Sequence, residues 1–142
     1  MKTSARNQFD GTVTGVKPGA VNDEVEITTP SGLKVVAVLT HESVVNLGLE
    51  PGKAAFALVK ASSVIVVTDE AGARFSTRNR FSGTLTQVQQ GAVNAEVVID
   101  LPGGSRVAAI VTQESANRLG LVPGQPATAL FKASSVIVGV PG

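Results

Sequence analysis

Residues 4–27 read SARNQFDGTVTGVKPGAVNDEVEI, and residues 76–99 read STRNRFSGTLTQVQQGAVNAEVVI. The correspondence resumes at residues 40–66, THESVVNLGLEPGKAAFALVKASSVIV, against residues 112–138, TQESANRLGLVPGQPATALFKASSVIV. The two copies align at a constant offset without a gap, with about three positions in five identical. Composition alone does not produce identity at that level, so the chain is a tandem duplication of one small module. The sequence divides into a first unit over residues 1–68, a linker over 69–75 and a second unit over 76–142. The join, Thr68 to Arg74, is polar and contains glycine, as a linker should. Modules of this size bury only a modest core, so the copies are expected to pack together and to oligomerise.

Each copy reads as short strands with one helical interruption. Asn7 to Val16 alternates around Phe9, Gly11 and Val13 and predicts a strand, and Pro18-Gly19 a turn. Val25 and Ile27 stand two apart with Glu24 and Glu26 interleaved, which gives one apolar and one wet face. Pro30-Ser31-Gly32 is a second turn, and Leu33 to Leu39 a β-branched strand. The period then changes. Thr40 is placed to cap a short helix with Glu42 in its first turn, Val44, Val45 and Leu47 on it, and Gly48 at its stop. Pro51-Gly52 is a turn, and Ala54–Val59 and Ser63–Val67 are two further strands. The expected fold is all-β with a short helix: two tandem five-stranded barrels resembling the OB fold.

Composition narrows the function. The chain is 43% hydrophobic and 16% charged, so it can build a core. Twelve Lys and Arg balance eleven Asp and Glu, which leaves no basic footprint for nucleic acid. Cysteine is absent, which removes disulfides, thiolate metal sites and cysteine catalysis. The N-terminal MKTSARNQFDG lacks the apolar segment of a signal peptide, and no run approaches the ~20 apolar residues of a membrane span, so a cytoplasmic protein is expected. No P-loop, GxSxG or His–carboxylate cluster is present, and the expectation is a protein without catalytic residues or direct protein–metal ligands. The single His41 faces Gln113 in the other copy and reads as a solvated helix residue. Glu24/Glu96 and Glu42/Glu114 read as strand-face and helix-start residues, since carboxylates repel an anion.

Both copies repeat a set of hydrogen-bond donors: Ser4-x-Arg6-Asn7 with Ser76-x-Arg78-Asn79, Thr40-x-x-Ser43 with Thr112-x-x-Ser115, and Lys60-Ala61-Ser62-Ser63 with Lys132-Ala133-Ser134-Ser135. Hydroxyls donate without adding charge, one lysine supplies a point charge, and a helix start favours an anion. The mixture fits a compact dianion. It also fits an ordinary cap and polar strand edges, so the residues alone leave both readings open. The side chain of Arg6 could pair with a carboxylate and leave only its backbone N–H facing a ligand. Gly19-Ala20-Val21-Asn22 and Gly91-Ala92-Val93-Asn94 recur as well, either as hairpin turns tolerating left-handed backbone or as backbone anion nests at an oligomer axis.

SARNQFxGxV, GAVNxEV and KASSVIV together resemble the molbindins, the molybdenum–pterin-binding or Mop proteins of the TOBE class, in their two-copy form. The resemblance spans nearly the whole chain. It implies an OB-like fold, a trimer, and molybdate or tungstate held between modules as a ligand, with no catalytic cofactor. It further implies one ligand set of Ser4, Arg6, Thr40, Ser43, Lys60 and Ala61, a second of Ser76, Arg78, Thr112, Ser115, Lys132 and Ala133, and axial sites at the two GAVN segments. The expected function is cytoplasmic storage of molybdate. Similar modules end molybdate-responsive regulators and importer ATPases; with its first module starting at Ser4, the chain is expected to be a free-standing binder rather than the end of such a protein. A nucleic-acid-binding OB domain is the remaining alternative, and five scattered Phe are poor stacking platforms.

Overall fold

The computed structural model describes residues 1–142. The first copy forms β1 (Asn7–Lys17), β2 (Asn22–Thr28), β3 (Lys34–Thr40), α1 (His41–Leu47), β4 (Ala54–Val59) and β5 (Ile65–Val67). The second forms β6 (Asn79–Gln89), β7 (Asn94–Asp100), β8 (Arg106–Thr112), α2 (Gln113–Leu119), β9 (Pro126–Phe131) and β10 (Ile137–Gly139). A single 3-10 turn, Ala61–Ser63 or Ala133–Ser135, precedes the last strand of each copy. The strand expected from Ser63 therefore starts at Ile65. Ser63 is held in the turn by its N–H donating to Lys60 O at 2.9 Å.

The helices are set by their ends. Thr40 Oγ1 accepts from Ser43 N at 3.1 Å, and Gly48 closes α1 in the left-handed region at φ 63°. Thr112 and Gly120 do the same for α2. With seven residues each, these helices persist through their caps and through burial of Val44 and Ala116 rather than through intrinsic stability.

Two five-stranded antiparallel sheets result, in the orders β10-β4-β1-β2-β3 and β5-β9-β6-β7-β8. Each sheet thus takes its fifth strand from the other copy: Ile137–Gly139 pairs with β4, and Ile65–Val67 with β9. The repeat predicts five strands per copy but not this exchange. Strands β5 and β6 both flank β9 and run parallel to each other, so the linker must travel back along β9 between them. Glu70 pins that return: one carboxylate oxygen accepts from Thr128 of β9 and the other from Arg80 of β6.

The open edges are covered across the same seam. β3 and β8 end their sheets, and an unpaired edge carries free N–H and C=O groups. Asn79 Oδ1 accepts from Val36 N at 2.9 Å and its Nδ2 donates to Val36 O at 2.7 Å. Asn7 does the same to Ala108, at 2.7 and 2.9 Å, and donates also to Val59 O at 3.2 Å. Each amide substitutes for one residue of a missing strand. The core is continuous between modules: one buried cluster includes Val25, Val35, Val97 and Val107, and Phe131 packs between Phe9 and Phe81 at centroid distances of 6.5 and 5.5 Å.

Candidate functional site

The β1–β4 ladder ends at the pair Asn7 and Val59, so Arg6 and Lys60 face each other one step beyond it. The β6–β9 ladder ends at Asn79 and Phe131, which puts Arg78 and Lys132 in the same relation. Past the end of a ladder, backbone amides lose their partners. The N–H groups of Arg6, Lys60, Arg78 and Lys132 donate to no protein acceptor.

Around these amides lie two equivalent clefts. The first, about 330 Å³, is lined by Ser4, Arg6, Lys60, Ala61 and Ser62, with Ile110 of β8 and Ile137 of β10 from the other copy. The second, about 290 Å³, is lined by Ser76, Arg78, Lys132, Ala133 and Ser134, with Glu24, Val36 and Val38 from the first copy. Four of the six residues expected in each ligand set are thereby brought together, on a seam between modules. Neither Lys60 nor Lys132 takes part in an ion pair.

The structure does not bring Thr40, Ser43, Thr112 or Ser115 into these clefts. They sit at the starts of α1 and α2, where Thr40 Oγ1 donates to Ser43 Oγ and Thr112 Oγ1 to Ser115 Oγ, each at 2.8 Å. Both threonines are exposed. Glu42 and Glu114 occupy the first helical turns as the sequence predicts.

The arginine side chains point across the seam. Arg6 Nη1 donates to Glu96 Oε1 at 2.9 Å, and Arg78 pairs with Glu24. The guanidinium charge at each cleft is therefore matched by a carboxylate of the other module, leaving the arginine backbone N–H for a ligand. Glu24 and Glu96 lie on strand faces, as expected, but their cross-module partners were not legible.

The Gly19–Asn22 and Gly91–Asn94 segments are exposed hairpin loops. Neither glycine has a left-handed backbone, contrary to the expected reason for glycine here. A Cβ at Gly19 would lie 2.3 Å from Asn22 O, and one at Gly91 2.5 Å from Asn94 O, so close backbone approach requires glycine. Both glycine amides are already used: Gly19 N donates to Asp23 Oδ1 at 3.1 Å and Gly91 N to Gln113 Oε1 at 3.2 Å.

His41 is not simply a solvated residue. Its Nδ1 lies 2.8 Å from Oδ2 of buried Asp23. Burial pushes the Asp23 carboxyl up, but the hydrogen bond from His41, the Gly19 amide and the His41 charge together outweigh it and hold the group below its ordinary range. The second copy has Ala95 and Gln113 at these positions, so the pair is replaced as a unit. No group of His, Asp and Glu residues is arranged to hold a metal ion, and no helix is long and apolar enough to cross a membrane.

Exchanged five-stranded barrels with paired donor clefts on their seams define a duplicated module of the OB type. The TOBE domain profile matches residues 3–66 and again 76–138. A solved structure of the cytoplasmic molybdate-binding protein ModG, with molybdate bound, superposes at a TM-score of 0.95 with 50% identity, covering 99% of this chain and 100% of that one. The molybdenum transport protein ModE of Azotobacter vinelandii is 47% identical over 142 residues, all of this chain and 52% of the relative. The molybdenum-pterin-binding protein MopA of Rhodobacter capsulatus is 45% identical over 141 residues, 99% of this chain and 53% of the relative. The chain belongs to the TOBE domain family, in the tandem two-module form of the molbindins. It spans about half the length of the curated relatives it matches.

Proposed function

We propose that this protein binds molybdate, and also tungstate, in the cytoplasm, as a non-catalytic store for the oxyanion. The observation that carries the reading is the cluster of unpartnered donors past each ladder end: two backbone amides, the Ser4 or Ser76 hydroxyl, and an unpaired lysine. Neutral donors with one cation stabilise a compact dianion without overcharging the cleft. The likeness to ModG, matched over its full length, points to the same ligand.

Each cleft is half of a site. Both clefts are open to solvent on one side. We assign that side to Thr40 and Ser43, or Thr112 and Ser115, of another copy of the chain, whose exposed hydroxyls have no role within this one beyond capping. The assembly is a homo-oligomer, with a trimer as the arrangement the resemblance implies. The Gly19–Asn22 and Gly91–Asn94 loops are second-rank sites on its axis. An anion there would need groups other than the Gly19 and Gly91 amides.

Phosphate is partly protonated at neutral pH whereas molybdate is not, and a site made only of donors leaves that proton without an acceptor. Calorimetry with molybdate, tungstate and phosphate, paired with native mass spectrometry, tests the reading. Molybdate and tungstate should bind well and phosphate poorly, to an oligomer. Equal affinity for phosphate would overturn the mechanism.

A second reading makes the paired modules the ligand-sensing part of a longer regulator. It is favoured by the match to only 52% of the ModE relative. Immunoblotting the native gene product distinguishes the two by its length. The nucleic-acid reading has no such support, because Phe9, Phe81 and Phe131 are buried in the core rather than presented for stacking.

A further inference from the structure

The two cross-module ion pairs sit beside the two clefts and nowhere else on the seam. Arg6 forms a wall shared by two cavities, one containing Ser4, Lys60 and Ala61, the other Gly91, Asn94 and Glu96. Glu96 lines the second, and its 2.9 Å bond to Arg6 Nη1 occupies the guanidinium there. In the other module Glu24 itself lines the cleft with Ser76 and Lys132 and holds Arg78. Both arginine side chains are more than half exposed, at 54% and 60%, so packing does not fix their direction and the carboxylate does.

We propose that Glu96 and Glu24 are positioning residues that set the anion selectivity of the clefts by occupying the guanidinium groups of Arg6 and Arg78. This inference rests on the reading of the clefts as oxyanion sites and adds a role for two carboxylates. A free guanidinium is a planar fork of donors that grips almost any oxyanion in bidentate fashion, whatever its size. Paired to a carboxylate, it leaves recognition to the fixed amides, the hydroxyl and one lysine. Fixed donors reward an anion whose oxygens reach all of them at once. The glutamates thus lower general anion attraction and raise discrimination between molybdate and the smaller sulfate.

The test uses the full chain and inorganic molybdate and sulfate as probes, titrated calorimetrically at two ionic strengths. The variants are Glu96→Gln, Glu24→Gln and the double variant Arg6→Gln/Glu96→Gln. Glu96→Gln should lower the molybdate-to-sulfate affinity ratio about fivefold, equivalent to ~1 kcal/mol, and steepen the salt dependence of binding. The double variant should return the ratio to within about twofold of the unmodified protein, because the released guanidinium is gone. Glu24→Gln reports the same effect at the other cleft, so instability of one variant does not remove the test. A change in melting temperature with an unchanged ratio would show a purely module-joining role and overturn the inference. So would a double variant whose ratio stays at that of Glu96→Gln. Failure of the unmodified protein to bind molybdate would overturn the proposed function as well, which separates the two outcomes.

Discussion

Replacing Asn79 with alanine should be among the most damaging single changes in the molecule. The Asn79 side chain is fully buried and bonds both backbone groups of Val36, at 2.9 and 2.7 Å. Val36 lies on β3, the last strand of its sheet, so no other strand can satisfy those groups. Alanine leaves a buried N–H and a buried C=O unpaired, at about 1–3 kcal/mol each, for a total of about 2–6 kcal/mol before any void is counted. A domain holds only about 5–15 kcal/mol in all. Asn7→Ala should cost less, about 1–3 kcal/mol, because Ala108 is only part-buried and water can reach its freed groups. Urea unfolding followed by circular dichroism measures both: the midpoint should fall, further for Asn79 than for Asn7, at an unchanged slope. Asn79→Asp separates lost bonds from lost volume. Its carboxylate keeps the acceptor for Val36 N but faces Val36 O without a proton. Burial and that carbonyl would raise its pKa in the fold, so destabilisation should be slight below the unfolded aspartate range and grow as the pH rises through it. A cost under about 1 kcal/mol for Asn79→Ala would refute the reasoning.

Lys60→Ala and Lys132→Ala should each remove part of the molybdate capacity with little change in melting temperature, and the double variant most of it; elemental analysis showing unchanged stoichiometry in the double variant would count against the two clefts. Asp23, whose carboxyl lies below its ordinary value of 3.8, stabilises the fold fully above that pH and loses its contribution as the pH falls below it. The double variant Asp23→Ala/His41→Gln installs the second copy's residues and should flatten thermal stability against pH below about 3.8; parallel loss in both proteins would sink the assignment. The Glu70 carboxyl is held low by the hydrogen bond from Thr128, then that from Arg80, against burial and with the help of the Arg80 charge. Glu70→Gln should therefore loosen the linker and speed limited proteolysis within residues 68–75, and an unaltered cleavage rate would show that the return along β9 needs no such pin.

The strands, the helix and the caps were legible because each is a local pattern. Phe9 and Val13, Val25 and Ile27, and Thr40 with Gly48 announce their elements within a few residues. Exchange of β5 and β10 leaves no such trace. The KASSVIV segments are identical, so either copy of the strand suits either sheet, and only the path of the linker decides. The clefts were half legible. Ser4, Arg6, Lys60 and Ala61 meet because the β1–β4 ladder ends between them, and ladder register is not written in composition. Two signals were present and carried more than was taken from them. Asn7 and Asn79 occupy inward positions in register with Phe9 and Phe81, and a polar residue there in both copies calls for a buried partner. Asp23/Ala95 and His41/Gln113 change together, as contacting residues do.

The exchange also explains why the clefts lie where they do. The Lys60–Ser63 turn is the point at which the chain leaves its own barrel, because the next strand, Ile65–Val67, belongs to the other sheet. The β1–β4 ladder stops at Asn7 and Val59, just before that departure, and leaves the Arg6 and Lys60 amides without strand partners. The same amides cannot be left to the core, so they face the seam. Duplication makes the event happen twice, at Lys60 and at Lys132, with the opposite module supplying the facing wall each time. Oxyanion binding and module assembly are therefore coupled by construction. A change that returned β5 to β4 would displace Ile137 from the wall of the first cleft without touching a donor. Capacity for the anion should follow the integrity of the exchanged seam more closely than the stability of either barrel.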